Sequence, residues 1–421
     1  MQLNYAPKIL GIVAEYNPFH SGHLYQINKA KSTCAADYVV VIMSGHFTQR
    51  GEAAIYDPYL RTEMALKAGV DAVYEMPAAF STASAADFAF YAVTFLTLLN
   101  VDYISFGVED ATLDELENLA DILLNESEGF KNLIKEKLSK GYTYPLARKE
   151  AFLNELKNFR NFDETRIKSL LSTPNNILGL EYIYTIKKIG SHLRPVLIKR
   201  KGSDYHDKGI AYNKEHSSAT ALRKYLSLHS ELKELESSLM PSSIEIIKKS
   251  KPLFADDFRG SISRKLYDLL YNDVDLSIYS DISPNLSDRI YKLNKNYSDY
   301  ETMVASIKSK DYTFTRISRA LCHILLNIKK SDTDIYKNNI KYSKLLGFRR
   351  SSGNLLKLIK TRSQLINITK SADAKDILRD EKETYRLFMS EVYASYIYNS
   401  VYYDKYKTEL KNSYSREIVI V

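Results

Sequence analysis

Residues Ile9–Leu24, Ile-Leu-Gly-Ile-Val-Ala-Glu-Tyr-Asn-Pro-Phe-His-Ser-Gly-His-Leu, constrain the fold of this 421-residue chain more than any other stretch. The apolar, β-branched run Ile9–Ala14 predicts a buried strand. Asn17-Pro18 ends it, because proline carries no N–H for a strand ladder and Asn-Pro favours a turn. Helical spacing follows, with His20 and His23 three residues apart and so on one face of the first turn. A strand, a tight turn and a helix N-terminus in that order suit an anion, because the first N–H groups of a helix are unpaired and carry partial positive charge. The pattern is short, and two histidines in such a loop are also compatible with an ordinary surface turn. Its place directly after the first strand favours a phosphate.

The rest of the first half continues the same alternation. Strands are expected at Ile9–Ala14, Tyr38–Met43, Ala72–Tyr74, Tyr103–Phe106 and Pro195–Lys199. Helical patterns lie near Leu24–Lys31, Leu60–Ala68, Ala83–Leu99 and Leu113–Leu124. Strands alternating with helices imply an α/β fold, a parallel sheet covered on both faces. Ligands of such sheets sit beyond the carboxyl ends of the strands, where His20 and His23 fall. After about residue 230 the β-rich runs fade, and Ile262–Tyr271, Arg316–Ile328, Leu355–Ile366 and Glu383–Tyr406 show helical spacing. The expected organisation is a catalytic domain over 1–230 and an all-α domain over 231–421.

Charge separates the halves further. Residues 1–230 hold 26 basic and 26 acidic side chains, whereas 231–421 hold 33 and 25. Within Lys308–Arg362 there are 14 basic residues against 3 acidic ones, the footprint of a polyanion partner or, more plainly, a solvated basic face. Two distant cysteines, Cys34 and Cys322, match no metal spacing and suit a reduced, cytoplasmic protein. Met1–Lys8 is polar, so no leader is expected there. Pro77–Leu99 is apolar but carries Asp87, which is costly in lipid, so a helix buried against the sheet is expected and no membrane partner.

Four other stretches could line the crevice. Met43-Ser-Gly-His-Phe-Thr-Gln-Arg-Gly-Glu52 follows the second strand and is either a ligand loop or a polar connection; it lacks the Lys-Ser/Thr of a phosphate-binding P-loop. Gly107 near the end of the fourth strand would allow close backbone approach. Thr173-Pro-Asn-Asn-Ile-Leu-Gly179 starts a helix whose asparagines serve a nucleotide or simply a cap. Ser217-Ser-Ala-Thr-Ala-Leu-Arg223 places hydroxyls and a guanidinium at a helix start, a set able to neutralise a departing pyrophosphate. Arg350-Ser-Ser-Gly353-Asn-Leu355 begins like the pyrophosphate cradle of acetyl-CoA-dependent acetyltransferases but ends in Leu355, which blocks it.

The His20-x-Gly22-His23 spacing resembles the HIGH motif of the nucleotidyltransferase superfamily, and Ser217–Arg223 resembles its second signature. Glu15–Leu24, Met43–Phe47 with Gln49–Gly51, Pro174–Gly179, Ser203–Asp207 and Ser218–Thr220 with Arg223 together resemble the bacterial tRNA(Met) cytidine acetate ligase family. The similarity spans residues 9–225, extends weakly through Tyr312–Arg316, His323–Leu325 and Leu345–Gly347, and stops near residue 365. It implies a Rossmann-like sheet and an enzyme that uses ATP and acetate to acetylate the wobble cytidine of elongator tRNA(Met) in its anticodon loop. It places ATP against Val13, Ala14, Glu15, Tyr16, Asn17, Pro18, Phe19, His20, Ser21, Gly22, His23, Leu24, Tyr25 and Gln26, with Gly107, Asn175 (preferred over Asn176) and Arg200. His20, His23 and Arg223 are the expected catalytic residues, with Ser217 and Thr220 on the pyrophosphate. Mg²⁺ is expected on the phosphates, although no carboxylate cluster specifies protein ligands for it. Arg316, Arg319, Lys344, Arg349 and Arg350 are expected to hold the tRNA backbone. A cofactor adenylyltransferase of the pantetheine-phosphate or nicotinate-mononucleotide type would share the first half's chemistry without needing the basic second half. A non-catalytic tRNA-binding protein would need only the latter.

Overall fold

The computed structural model describes residues 6–157, 163–200, 219–229, 232–235, 237–293 and 296–421. Five parallel strands form the centre: β1 (Ile9–Ala14), β2 (Tyr38–Ser44), β3 (Ala72–Met76), β4 (Tyr103–Val108) and β5 (Arg194–Lys199). Their spatial order is β5-β4-β1-β2-β3, so the order reverses at β1, between β2 and β4. Helices α1 (Ser21–Cys34) and α2 (Pro58–Lys67) cover one face, where Leu10, Ile12, Val39, Val41 and Val73 form one core. Helices Ala85–Leu98 and Pro174–Lys188 cover the other, over Ile9, Val40, Ile42, Ile104 and Phe106. Strands buried on both faces read as unbroken apolar runs, which is why β1, β2 and β3 were legible, while β5 at the sheet edge showed itself by Val196, Leu197 and Ile198.

The helix Ala85–Leu98 is a core helix, and Asp87 pairs with Lys337 at 2.7 Å. No helix among the described residues is long and apolar enough to cross a membrane.

The expectation of an all-α second half is corrected by three strands. β6 (Tyr342–Phe348) adds antiparallel to β3, and β7 (Ile366–Ile368) and β8 (Val419–Ile420) pair with β6. The sheet therefore runs through both halves of the sequence. β6 escaped notice because Ser343 and Lys344 interrupt its apolar pattern, yet Leu345 enters one core and Leu346 the other. The remaining elements are mostly helical, ending in the 25-residue helix Lys382–Tyr406. Tyr398 and Tyr402 on that helix are buried, while Tyr393, Tyr396 and Tyr403 are exposed.

Candidate active site at the switch point of the sheet

β1 delivers the chain to the crevice through Tyr16, at φ 47°, and a cis Asn17-Pro18 bond. His20 then caps α1. Its Nδ1 accepts the Gly22 N–H at 3.1 Å, and the Nδ1 of His23 accepts the His20 N–H at 3.2 Å. This is a capping box built from two imidazoles in place of Ser and Glu. Gly22 is required there, because a β-carbon would lie 2.9 Å from His20 Cε1. The two rings stack with centroids 3.7 Å apart.

The cap settles the tautomers. A ring nitrogen that accepts a backbone N–H carries no proton, so whenever either ring is neutral its proton sits on Nε2. Burial against Tyr16 and Phe19, together with the neighbouring His20 and Arg200, holds His23 well below the usual imidazole range. Two imidazoles thus stand together at the N-terminus of a 14-residue helix, each using Nδ1 in the cap.

Distant segments complete the crevice. Asn17 accepts the Ile55 N–H through its side chain at 2.9 Å, and its carbonyl accepts Arg223 Nη1 at 2.8 Å. Arg223 Nη2 also donates to Thr220 at 3.2 Å, so the late helix that begins at Ala219 reaches the turn after β1. Ser217 and the Ser203–Asp207 block lie outside the described residues. Arg200, exposed at the end of β5, places its Cγ 3.3 Å from where a β-carbon on Gly107 would stand. Gly107, Arg200 and His23 therefore converge.

Asn176 is buried, accepting the Glu109 N–H at 3.0 Å and donating to Asp110 at 2.8 Å. Asn175 is half-buried and donates to Glu109 at 2.6 Å. Val13 and Ala14 are half-buried at the end of β1; Leu24 and Tyr25 pack on the α1 side of the sheet, with Gln26 half-exposed beside them.

Two further residues shape the site. Glu109 accepts the backbone N–H groups of Asn175 and Asn176 and so caps that helix. Arg61, fully buried, donates to the carbonyls of Tyr56 at 3.0 Å, Glu15 at 2.6 Å and Gly45. It ties the ends of β1 and β2 together, while Glu15 accepts the Gln49 N–H at 2.9 Å and docks the loop after β2. The sequence signal for Arg61 was a cation on the otherwise buried face of α2, where Tyr59, Met64 and Ala65 are interior.

Sequence comparison agrees with this geometry. Residues 7–413 match the family described as HIGH Nucleotidyl Transferase. A protein of a Thermoanaerobacter species named tRNA(Met) cytidine acetate ligase is 39% identical over 403 residues, covering 94% of this chain and 95% of its own. A namesake from Clostridium perfringens is 36% identical over 371 residues, with 87% and 90% covered. The crystal structure of Thermotoga maritima TmcAL bound with α-thio ATP superimposes with a TM-score of 0.90 at 29% identity, over 98% of this chain and 99% of that one. The chain belongs to the tRNA(Met) cytidine acetate ligase family.

Within this family member, the expected tRNA contacts fare unevenly. Lys344 is buried and pairs with Glu75 at 2.5 Å, so it cannot reach RNA. Arg349 pairs with buried Asp71 at 2.5 Å, and Arg319 with Asp281 at 2.7 Å. Arg316 lies over the Tyr312 ring and donates to the Asp281 carbonyl at 3.3 Å; Arg350 is exposed. Charge count overstated the free cations because several were consumed by pairs remote in sequence.

Lys344 belongs to a buried polar cluster with Glu75, Glu391 and His46. Glu391 accepts the Ala78 N–H at 2.7 Å and faces His46 Nδ1 at 3.3 Å. Burial pushes Glu75 up to about 7 and His46 down to about 4. Among the described residues this is the one group with metal-ligand spacing. The Lys344 ammonium already occupies it, so it does not fit Mg²⁺.

Proposed function

We propose that the chain is an ATP-dependent ligase that activates acetate as acetyl-adenylate and acetylates the N4 amine of the wobble cytidine of elongator tRNA(Met), forming N4-acetylcytidine. The observation that carries this reading is the reciprocal imidazole cap, which uses Nδ1 of both His20 and His23 at the helix start by the switch point of the sheet, with Arg223 on the Asn17 carbonyl and Arg200 against Gly107. The names of the relatives and the α-thio ATP bound to the Thermotoga protein support it.

In the first step an acetate oxygen bonds to the α-phosphorus of ATP, and the bond to the bridging oxygen breaks with its electron pair on pyrophosphate. Little covalent chemistry falls to the protein, so positioning and charge neutralisation dominate. His20 and His23 donate to phosphate oxygens as charge grows there, and Arg223 with Thr220 receives the pyrophosphate. Asn175 and Gly107 line the nucleoside side. In the second step the cytidine amine bonds to the acetyl carbon, the acyl–phosphate C–O bond breaks with its pair on AMP, and the amine proton passes to solvent. An anticodon loop is single-stranded, so its base is splayed out at modest cost. Mg²⁺ accompanying ATP would supply further charge neutralisation at the phosphates, beside His20, His23 and Arg223. Residues 1–230 supply the activation chemistry and 231–421 the tRNA contacts, and the tRNA substrate puts the work in the cytoplasm.

Incubation with ATP, labelled acetate and bulk tRNA tests the assignment. Label is expected in N4-acetylcytidine, and replacing both histidines with alanine should abolish acetate-dependent ATP–pyrophosphate exchange. Adenylylation of a small cofactor without label in RNA, or exchange that survives loss of both rings, would overturn it.

A further inference from the structure

Once paired cations are set aside, Arg350, Lys357 and Lys360 remain exposed in the basic segment, and so do Lys308 and Lys310, which have no carboxylate partner among the described residues and sit together on one short loop. These two lysines flank a shallow groove of about 610 Å³, open to solvent and lined by Ala305, Lys308, Ser309, Lys310, Thr313 and Phe314. The groove lies between the end of the helix Tyr300–Ile307 and the start of the helix Phe314–Leu325. Asp311 is the acidic residue of the intervening loop, so the loop itself stays net positive.

The loop is held in place. Arg289 donates to the carbonyls of Ile307 at 2.5 Å and Lys308 at 2.9 Å, Tyr312 and Ser283 share a hydroxyl bond at 3.0 Å, and Thr313 caps the next helix. Groups fixed before a ligand arrives bind with less loss of entropy. The ring of Phe314, half-buried, supplies an aromatic surface at the groove. Hydroxyls, two ammonium groups and an aromatic ring match a single-stranded nucleic acid, whose phosphates seek cations and whose bases stack.

The groove also has a fixed relation to the catalytic crevice. Gly51, at φ 75°, lays its backbone against Ser318 and Arg319, where a β-carbon would collide with the Arg319 nitrogen. Gly51 closes the loop whose Gln49 N–H is held by Glu15 at the end of β1. From Ser318 back to Phe314 is four residues, about 6 Å along the helix axis. The helix that borders the groove therefore also packs against the loop that Glu15 docks at the end of β1.

We propose that this groove binds the tRNA strand beside the modified cytidine, with Lys308 and Lys310 on its phosphates and Phe314 against a base. The proposal rests on the acetate ligase reading above. The test compares wild type with the Lys308→Ala/Lys310→Ala pair and with Phe314→Leu, which keeps apolar packing and loses the ring. Acetate-dependent ATP–pyrophosphate exchange should be unchanged in both, which also shows that they fold. For acetyl transfer to a tRNA(Met) transcript, KM should rise about tenfold or more in each. In salt titrations of tRNA binding, the double variant should lose roughly 1.5–2 units of log–log slope, one phosphate contact per lysine. The single ring replacement should leave that slope alone, because stacking carries no counterion. Wild-type protein that forms no acetylated tRNA refutes the ligase reading itself. Wild-type acetylation with unaltered KM and slope in the lysine variant refutes the groove alone.

Discussion

Replacing His20 by asparagine separates the two tasks of that side chain. His20 caps α1 through Nδ1, while the mechanism proposed above assigns its Nε2–H to a phosphate oxygen, and only the first task is open to asparagine. Asparagine is among the best N-cap residues, so His20→Asn should keep stability within about 1 kcal/mol, whereas His20→Ala forfeits a cap of about 0.5–2 kcal/mol. The shorter amide falls short of where Nε2 stands. Losing one preorganised donor to a charge-developing oxygen lowers kcat by about 10²–10³-fold. Both variants should therefore lose acetate-dependent ATP–pyrophosphate exchange to a similar degree while differing in urea midpoint. pH adds a check on sign. His23 is held below its usual range, so it stays neutral through neutral pH, and protonation would break the backbone bond its Nδ1 accepts. Exchange should then decline only on the acid side. Exchange in His20→Asn within about threefold of wild type, or losses that track stability across the two variants, would refute the argument.

The buried cluster makes two more predictions. Lys344→Met leaves Glu75 and Glu391 buried without their ammonium, and breaking such an arrangement costs about 3–5 kcal/mol, measurable by urea denaturation and partly recovered by adding Glu75→Gln. His46, lowered to about 4, contributes stability that is present above about 6.5 and lost as pH falls towards 4; Glu75, raised to about 7, contributes stability that is present below about 4.5 and lost as pH rises towards 7. Glu75→Gln should reduce the loss on the rising side, leaving the part due to Glu391, whose carboxyl burial also raises, and should keep the loss on the acid side, as read from urea midpoints across pH.

The legible parts of this molecule share a length scale. The five parallel strands declared themselves as apolar runs, and α1 as a turn followed by helical spacing. The imidazole pair was legible because every atom of its cap lies within His20–His23. β6 was not, since Lys344 is tolerable inside the sheet only through Glu75, a residue 269 positions earlier. Arg61 was missed for the same reason, as its carbonyl partners gather only when β1 and β2 are side by side. Asn175 and Asn176 are indistinguishable as letters, yet one faces the crevice edge and the other is enclosed.

What the amino-acid order determined alone was the α/β class and the strand, turn and helix that carry the histidine pair, because each arises from neighbours a few residues apart. Which charges remain available to a partner was decided by the tertiary structure. A guanidinium or ammonium is neutralised by whichever carboxylate the fold carries to it, as Asp71 meets Arg349 and Asp281 meets Arg319, and chain order does not encode that distance.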